Sequence, residues 1–304
     1  MEPSLQVSVK RPLVSVVLPT HNRKEFLSRS VASVLAQTEQ NFELIVVDDA
    51  STDGTQTYLA TLPSQDARIR VIRNSIAKGG GGARNEGIIH CRGLWVAFLD
   101  DDDEWMPGKL QRQLEVLDFS HSAVACSCGY EVRLPSGLSN VTIVPTNVSL
   151  RELFDDNWLG GASMCICSTT VLREIGGFDS RLRSAQDLDL WVRLRQRGNV
   201  VVCKEPLVLY RAHQGPRITN NMNAQYVGVR RFYFKYRHLM DASLRRRRVS
   251  HSCFIMSRQI NRSLRCRMRY LILALRNSSI RVSWSYATSS LPRLARDAVL
   301  KRFI

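Results

Sequence analysis

Four aspartates in a row, Asp100-Asp101-Asp102-Asp103, follow directly on the apolar run Leu94–Leu99. Like charges packed this densely at the end of a buried strand repel by several kcal/mol unless they are protonated or met by a cation. A hard divalent ion, held by one or two carboxylates plus phosphate oxygens, resolves the repulsion; a solvated acidic turn is the alternative. A second pair, Asp48-Asp49, closes the apolar run Phe42–Val47. There a carboxylate can accept hydrogen bonds from a base N–H or from ribose hydroxyls, or join a helix-capping cluster, a role that suits Asp53 better than Asp48. Lys78-Gly79-Gly80-Gly81-Gly82-Ala83-Arg84-Asn85 is a glycine-rich loop entering a helix. Backbone N–H groups at a helix start favour phosphate. Arg84 could grip a diphosphate bidentately or lie on a helix surface. The loop is neither a Walker A sequence nor GxGxxG. Asp187, in Gln186-Asp187-Leu188-Asp189-Leu190-Trp191, falls in a first helical turn, where an ionised carboxylate is stabilised. It is a candidate proton acceptor or a helix cap.

These groups need elements to hold them. From residue 13 short β-branched runs alternate with helical segments: strands at 13–18, 42–47, 70–73 and 94–99, helices at 25–36, 55–61 and 83–90. Such alternation predicts an α/β fold, a mostly parallel sheet flanked by helices. Ligands of such sheets sit beyond the carboxyl ends of the strands. Three strands end there in polar groups: Thr20-His21-Asn22, Asp48-Asp49 and the four aspartates. A helix at 107–118 follows, then strands at 123–132 and 140–144 and a helix near 150–154. Next come a strand at 162–168, helices at 170–175 and 187–196, and strands near 200–202 and 207–210. From about Asn220 the chain reads as helical, with breaks at 250–252, 277–279 and 289–292.

In 304 residues, 43 Lys and Arg face 27 Asp and Glu, a net charge of +16. From Arg245 to Ile304 there are 15 basic residues and one acid, Asp297, so the rest of the chain is nearly neutral and is not a nucleic-acid-coating protein. Eight cysteines include no CxxC pair. Cys126/Cys128 and Cys165/Cys167 stand two apart in apolar runs, which places each pair on one strand face as buried, reduced thiols. No apolar run reaches membrane-spanning length and residues 1–12 carry no secretory pattern, so a cytoplasmic location is expected.

The combination VSVVLPTHNR at 14–23, LIVVDDASTDGT at 44–55, GGARNEGI at 81–88, FLDDDDEWMPGKL at 98–110, GGFD at 176–179 and QDLDLWVRL at 186–194 resembles the inverting family 2 glycosyltransferases of bacterial polysaccharide and glycan biosynthesis. The resemblance spans about residues 12–215. It implies a GT-A fold over residues 1–218 with a basic helical extension over 219–304. It also implies transfer of a sugar from a nucleotide-sugar donor, a UDP-sugar first, to a saccharide or lipid-linked acceptor, with Mg²⁺ or Mn²⁺. Carried over by residue, Pro19 and Thr20 line the nucleotide site and Asp48 meets the base. Arg84, Asn85, Asp100 and Asp101 lie at the donor, and Asp102 is the direct metal ligand. Asp187 is the general base. His213 resembles a position near the metal or diphosphate, with a surface role as the alternative. The family usually carries Glu before the base, where this chain has Gln186, and the four-glycine loop is richer in glycine than usual.

Two other readings compete. A sugar nucleotidyltransferase needs a glycine-rich loop with Arg and Lys after the first strand, and Pro19–Lys24 has no glycine. Nucleic-acid binding by the Arg-rich tail lacks interleaved aromatics in Arg245–Arg248. Each Lys or Arg near an anionic leaflet contributes about 1 kcal/mol. Residues 266–275 mix arginine with Met268, Leu271, Ile272 and Leu275, a composition suited to a peripheral helix at an anionic membrane surface.

Overall fold

The computed structural model describes residues 11–120, 122–212, 221–258 and 263–277. The chain forms two compact units, one from residues up to Arg181 together with Gln186–Gly215, the other from Leu182–Ala185 and the chain from Pro216 onward.

In the first unit, β1 (Val14–Thr20) and β2 (Phe42–Asp48) are buried at every position, as central strands covered on both faces must be. They lie between β3 (Ile69–Arg73) and β4 (Trp95–Phe98) in a parallel array, with Thr20 opposite Asp48 and Val17 opposite Phe98. Alternation then sorts the side chains. Val14, Val16, Leu18, Leu44 and Val46 pack with Leu27, Val31 and Val34 of α1 (Lys24–Leu35) and with Leu59 and Leu62 of α2 (Thr55–Gln65). On the opposite face α3 (Gly79–His90) lies close against β1. A Cβ on Gly87 would fall 2.5 Å from Val17 Cγ1 and 3.2 Å from Val47 Cγ2, so this helix–sheet distance needs glycine.

Beyond β4 the sheet becomes mixed. β5 (Asp103–Trp105), β6 (Ala123–Arg133), β7 (Ser139–Thr142), β8 (Ile166–Ser168) and β9 (Asn199–Arg211) complete the order β3-β2-β1-β4-β8-β6-β9-β5, with β7 on β6. β4–β8, β6–β8, β6–β7 and β5–β9 run antiparallel and β6–β9 parallel. α4 (Lys109–Asp118), α5 (Leu150–Asp155), α6 (Thr169–Glu174) and α7 (Gln186–Arg195) complete this unit. Cys126, Cys128, Cys165, Cys167 and Cys203 are buried free thiols; burial pushes Cys128 up to about 12.

Several expectations shift in detail. The glycine run is not a loop before the helix: Gly79–Gly82 form the first turn of α3, started by Gly79 at φ +74°. The strands expected near 200–202 and 207–210 are one strand, β9, which keeps Pro206 by slipping register against Gly129. The segment expected as one strand at 162–168 opens as a 3-10 turn, Ala162–Met164, before β8.

The second unit contains α8 (Met222–Tyr236), α9 (Ala242–Ser257) and α10 (Leu264–Asn277). The break expected at 250–252 is absent, because Ser250 is buried inside α9 and its hydroxyl donates to the Ala274 carbonyl of α10 at 2.8 Å. Among the described residues no helix is long and apolar enough to cross a membrane.

Candidate active site

Because β1, β2 and β4 are parallel and in register, their carboxyl ends deliver three polar segments to one edge of the sheet. The Asp49 N–H donates to the Thr20 carbonyl at 2.8 Å and the Leu99 N–H to the Val17 carbonyl at 3.1 Å, carrying the alignment past the strand ends. The backbone is strained there. Asn22 (φ +54°) and Ala50 (φ +63°) leave β1 and β2 in the left-handed region, and Ala185 (φ +59°) immediately precedes α7. The alanine methyl crowds the backbone in that conformation and has no polar atom to ease it, at a cost of about 1–2 kcal/mol each.

At the β2 end the two carboxylates divide their roles. Asp48, buried beside Thr20 in the strand register, accepts from the Ser51 N–H at 2.9 Å and stands 3.8 Å from Arg73. Asp49 accepts from Asn74 Nδ2 and from the Lys78 and Gly79 N–H groups at 2.7–3.0 Å, so it fixes the start of α3. Asp53 accepts from the Thr55 N–H at 3.0 Å and from its hydroxyl, but it is not the cap expected of it: the N-cap of α2 is Gly54, with no side-chain cap hydrogen bond.

The aspartate run forms a turn between β4 and β5. Its backbone is held from below: the Asp100 N–H donates to Ser163 Oγ at 3.1 Å, and Ser30 Oγ lies within bonding distance of the Asp101 and Asp103 carbonyls. Asp103 points inward and accepts from Ser163 Oγ at 2.6 Å, so it belongs to the scaffold. Asp100 pairs with Arg84, Asp101 accepts from Thr20 Oγ1 at 2.8 Å, and Asp102 pairs with Arg23 at 3.0 Å. Burial pushes the Asp101 carboxyl up to about 7; the Asp102 and Asp100 charges add to this, and Arg23 and Thr20 only partly oppose it.

Arg84 joins this turn to α7. It is buried, stacks 5.2 Å from the Phe178 ring centroid and donates to Gln186 Oε1 at 3.4 Å as well as to Asp100. Burial alone would lower its pKa, but the charges of Asp100, Asp187 and Asp101 outweigh that and hold it above the usual arginine value. Asp187, one residue further along α7, lies deep with one face still open, and its Oδ2 is 3.9 Å from where a Cβ on Gly161 would sit. Burial raises its carboxyl to about 6, Arg84 pulling it down and Asp100 pushing it up. Asp189, by contrast, is fully buried and pairs with Arg193 at 2.8 Å. Arg193 in turn holds the Ile175 and Gly177 carbonyls, tying α7 to the Gly-Gly-Phe-Asp turn.

The structure thus gathers Thr20, Arg84, Asp100, Asp101, Asp102 and Asp187 around one end of the sheet, with Pro19 and Asp48 in the adjacent strand ends. Asn85 is engaged differently. Its Oδ1 accepts from the Phe178 N–H at 2.7 Å and its Nδ2 donates to the Phe178 carbonyl at 2.8 Å, which sets the ring that supports Arg84. His213 lies outside the described residues. Two contributors were not singled out by sequence: Arg23, which neutralises Asp102, and Ser163, which holds Asp100 and Asp103 together. Arg23 stands in the Thr-His-Asn-Arg stretch after β1, where a basic residue facing an acidic strand end was the available signal; Ser163 gave none.

The residues fit a divalent cation in one way. Among the described residues no three His, Cys, Asp or Glu side chains converge as a protein-only cage. An aspartate turn with excess negative charge, where Asp101 is already driven to about 7, suits a hard ion shared between one or two carboxylates and phosphate oxygens.

Comparison with known proteins identifies the family. The sequence model of Glycosyl transferase family 2 matches residues 15–175. A putative teichuronic acid biosynthesis glycosyltransferase, TuaG of Bacillus subtilis, is 30% identical over 75% of this chain and 89% of its own length. The Escherichia coli WfgD, named as a UDP-Glc:alpha-D-GlcNAc-diphosphoundecaprenol beta-1,3-glucosyltransferase, is 30% identical over 62% of this chain and 72% of its own. Among solved structures, residues 1–349 of Staphylococcus aureus TarS in complex with UDP-GlcNAc superpose with a TM-score of 0.66 at 18% identity, over 94% of this chain and 83% of that one. A Pyrobaculum calidifontis mannosyltransferase in complex with GDP-Man and Mn2+ superposes with a TM-score of 0.61 at 17% identity, over 97% and 81%. The α/β sheet is therefore that of the GT-A enzymes. With its family match covering more than half of its length, the chain belongs to glycosyl transferase family 2 and is a glycosyltransferase.

Proposed function

We propose that this glycosyltransferase moves a sugar from a nucleoside-diphosphate donor to a hydroxyl of a lipid-linked or saccharide acceptor, with inversion, and that Asp187 takes the acceptor proton. The observation that carries the reading is Arg84: one buried guanidinium pairs with Asp100 of the aspartate turn and acts on Asp187 at the start of α7. Donor-side and acceptor-side carboxylates are thereby held in one electrostatic unit. An acceptor hydroxyl has a pKa far above neutrality, so a positioned carboxylate must accept its proton as attack proceeds. With its carboxyl raised to about 6, Asp187 is ionised at neutral pH yet more basic than an ordinary aspartate. The acceptor oxygen forms its bond to the anomeric carbon as the bond to the diphosphate oxygen breaks. The proton goes to Asp187, the electron pair leaves with the nucleoside diphosphate, and no covalent sugar–enzyme intermediate is needed.

Asp102, with Asp101 beside it, would hold Mg²⁺ or Mn²⁺ against the donor phosphates, and the ion when bound supplies Lewis-acid stabilisation of the departing diphosphate. Asp48, beside Thr20, suits recognition of a base or ribose. A uridine nucleotide is the first donor to test, because WfgD is named for UDP-Glc and TarS was solved with UDP-GlcNAc. WfgD's named acceptor is a diphosphoundecaprenol-linked sugar, which supports a lipid-linked acceptor and a peripheral site of action on the cytoplasmic face of a membrane. The test is nucleoside diphosphate release from a panel of sugar nucleotides with Mg²⁺ or Mn²⁺ and lipid-linked acceptor. Asp102→Ala should lose turnover by at least about a hundredfold; turnover near the wild-type rate in that variant refutes the assignment.

A further inference from the structure

We infer that the outer face of α8 docks the protein on an anionic lipid surface, through Phe234 seated between Arg230 and Arg237. The inference rests on the lipid-linked acceptor proposed above and names the surface that would meet the membrane carrying it.

The second unit is strongly asymmetric in charge. Its sequence holds 21 Lys and Arg against two acids, Asp241 and Asp297. Asp241 is committed locally as the N-cap of α9, accepting from the Leu244 N–H at 2.8 Å. The orientation of α8 is set by its inner face, where Gly228, Val229, Phe232 and Tyr236 are buried. Gly228 fixes the seat: a Cβ there would fall 2.5 Å from the Ser184 carbonyl oxygen, so the helix touches that backbone directly. Helical periodicity then turns Val227, Arg230 and Phe234 outward together. Phe234 is 49% exposed, Val227 38% and Leu239, just beyond the helix, 48%.

Solvent-exposed apolar side chains of this size, grouped with arginines and no acid, fit an interface that is apolar within and anionic at its surface. Arg230 and Arg237 are exposed, and their guanidinium carbons lie 5.5 and 5.2 Å from the Phe234 ring centroid. Neither pairs with a carboxylate among the described residues. In that arrangement the arginines can meet lipid phosphates while the ring and the Val227 and Leu239 side chains enter the acyl boundary. Arginines beside an aromatic ring also suit single-stranded nucleic acid; the exposed aliphatic side chains of Val227 and Leu239 in the same patch favour lipid. α10 repeats the composition on its exposed positions, with Arg265, Arg269, Leu273 and Arg276 outward and Leu271 and Ala274 inward.

The test is co-sedimentation of the full chain with phosphatidylcholine vesicles, with and without phosphatidylglycerol. Binding should require phosphatidylglycerol and weaken with salt. At about 1 kcal/mol per arginine, Arg230→Gln with Arg237→Gln should weaken it by about 30-fold, and the double lysine variant should restore most of it. Phe234→Ser should weaken binding while leaving its salt dependence unchanged, with unaltered thermal melting showing that the fold is kept. Equal binding to neutral vesicles, or wild-type binding by well-folded Gln and Ser variants, overturns the inference. So does single-stranded RNA that is bound more tightly than the vesicles and lost with the same substitutions. Nucleoside diphosphate release in detergent separates the two proposals. Intact turnover with vesicle binding indifferent to α8 overturns docking alone. Vesicle binding that depends on α8, without turnover of any sugar nucleotide, supports docking and overturns the donor chemistry.

Discussion

Replacing Asp187 by Asn should stop transfer and stabilise the protein, and the two effects have one cause. The Asp187 carboxyl is raised to about 6 from an ordinary 3.8, chiefly by burial. For an acid whose folded pKa lies above its unfolded value, the folded state is penalised where the group must ionise. The penalty is complete above the folded pKa and vanishes below the unfolded one. At 1.36 kcal/mol per unit this amounts to about 3 kcal/mol at about pH 8, about 1.6 at about pH 5 and about 0.5 at about pH 4. The carboxylate keeps an open face, so these are ceilings. Asn has nearly the same shape and no charge, so Asp187→Asn should gain up to that amount at about pH 8 and almost nothing at about pH 4.

Urea unfolding of both proteins at the three pH values measures the difference directly. Nucleoside diphosphate release should fall by at least about a hundredfold in the variant, while donor binding, followed by titration with a non-transferable sugar nucleotide, should be kept. The wild-type rate should itself decline as pH drops through about 6. A stability gain that does not shrink with falling pH refutes the electrostatic account, and an active variant refutes the role as base.

Other substitutions test the supports around this carboxylate. Arg84 lowers the Asp187 pKa, so Arg84→Gln should move the acidic limb of the pH–rate profile to higher pH, whereas Arg84→Lys should leave it nearer its wild-type position. Gly87→Ala would put a methyl 2.5 Å from Val17 Cγ1; pushing α3 off β1 should cost about 1–3 kcal/mol in chemical denaturation. Lys109 is wholly buried, 4.0 Å from the Trp105 ring centroid and hydrogen-bonded to Gln113 at 2.6 Å, and burial lowers its pKa. A depressed lysine penalises folding at neutral pH and less as pH rises towards the unfolded value of about 10.4. The stability of Lys109→Met relative to wild type should therefore fall as pH rises towards the unfolded value, and a difference that stays flat up to that value contradicts this.

The parallel half of the sheet was legible because hydrophobic runs of strand length alternate with helical spacing, and their polar endings then had to meet at one edge. What sequence left open was decided by contacts distant in the chain. Whether Asp100 or Asp103 faces the site depends on Ser163, which caps one backbone and takes the other carboxylate. The helical glycine run depends on Asp49, whose carboxylate collects the N–H groups of Lys78 and Gly79. β5 is three residues long and exists because Asp103–Trp105 finds the edge of β9, a pairing no local pattern announces. Ser250–Ser252 read as a break because serine is a poor interior helix residue, yet burial against α10 overrides that preference.

The charges at the sheet edge also explain why sequence alone pointed to a cation. Asp100, Asp101, Asp102 and Asp187 face Arg23 and Arg84, so two of the four carboxylates have no fixed counter-charge from this pair of arginines. Burial, chiefly, raises the Asp101 and Asp187 carboxyls to about 7 and about 6, with neighbouring aspartate charge adding to it, whereas Asp100 and Asp102 have direct arginine partners. A nucleoside diphosphate adds further negative charge to this edge. Arg23 and Arg84 cannot turn fully to it without abandoning Asp102 and Asp100, and releasing either aspartate would raise the remaining carboxyls further. A divalent ion, which Asp102 would hold in the proposed mechanism, would remove the conflict and leave Arg84 to lower the Asp187 pKa. The substitution of Gln186 for the family's usual Glu acts in the same direction. A neutral amide bonded to Arg84 leaves that charge to Asp100 and Asp187.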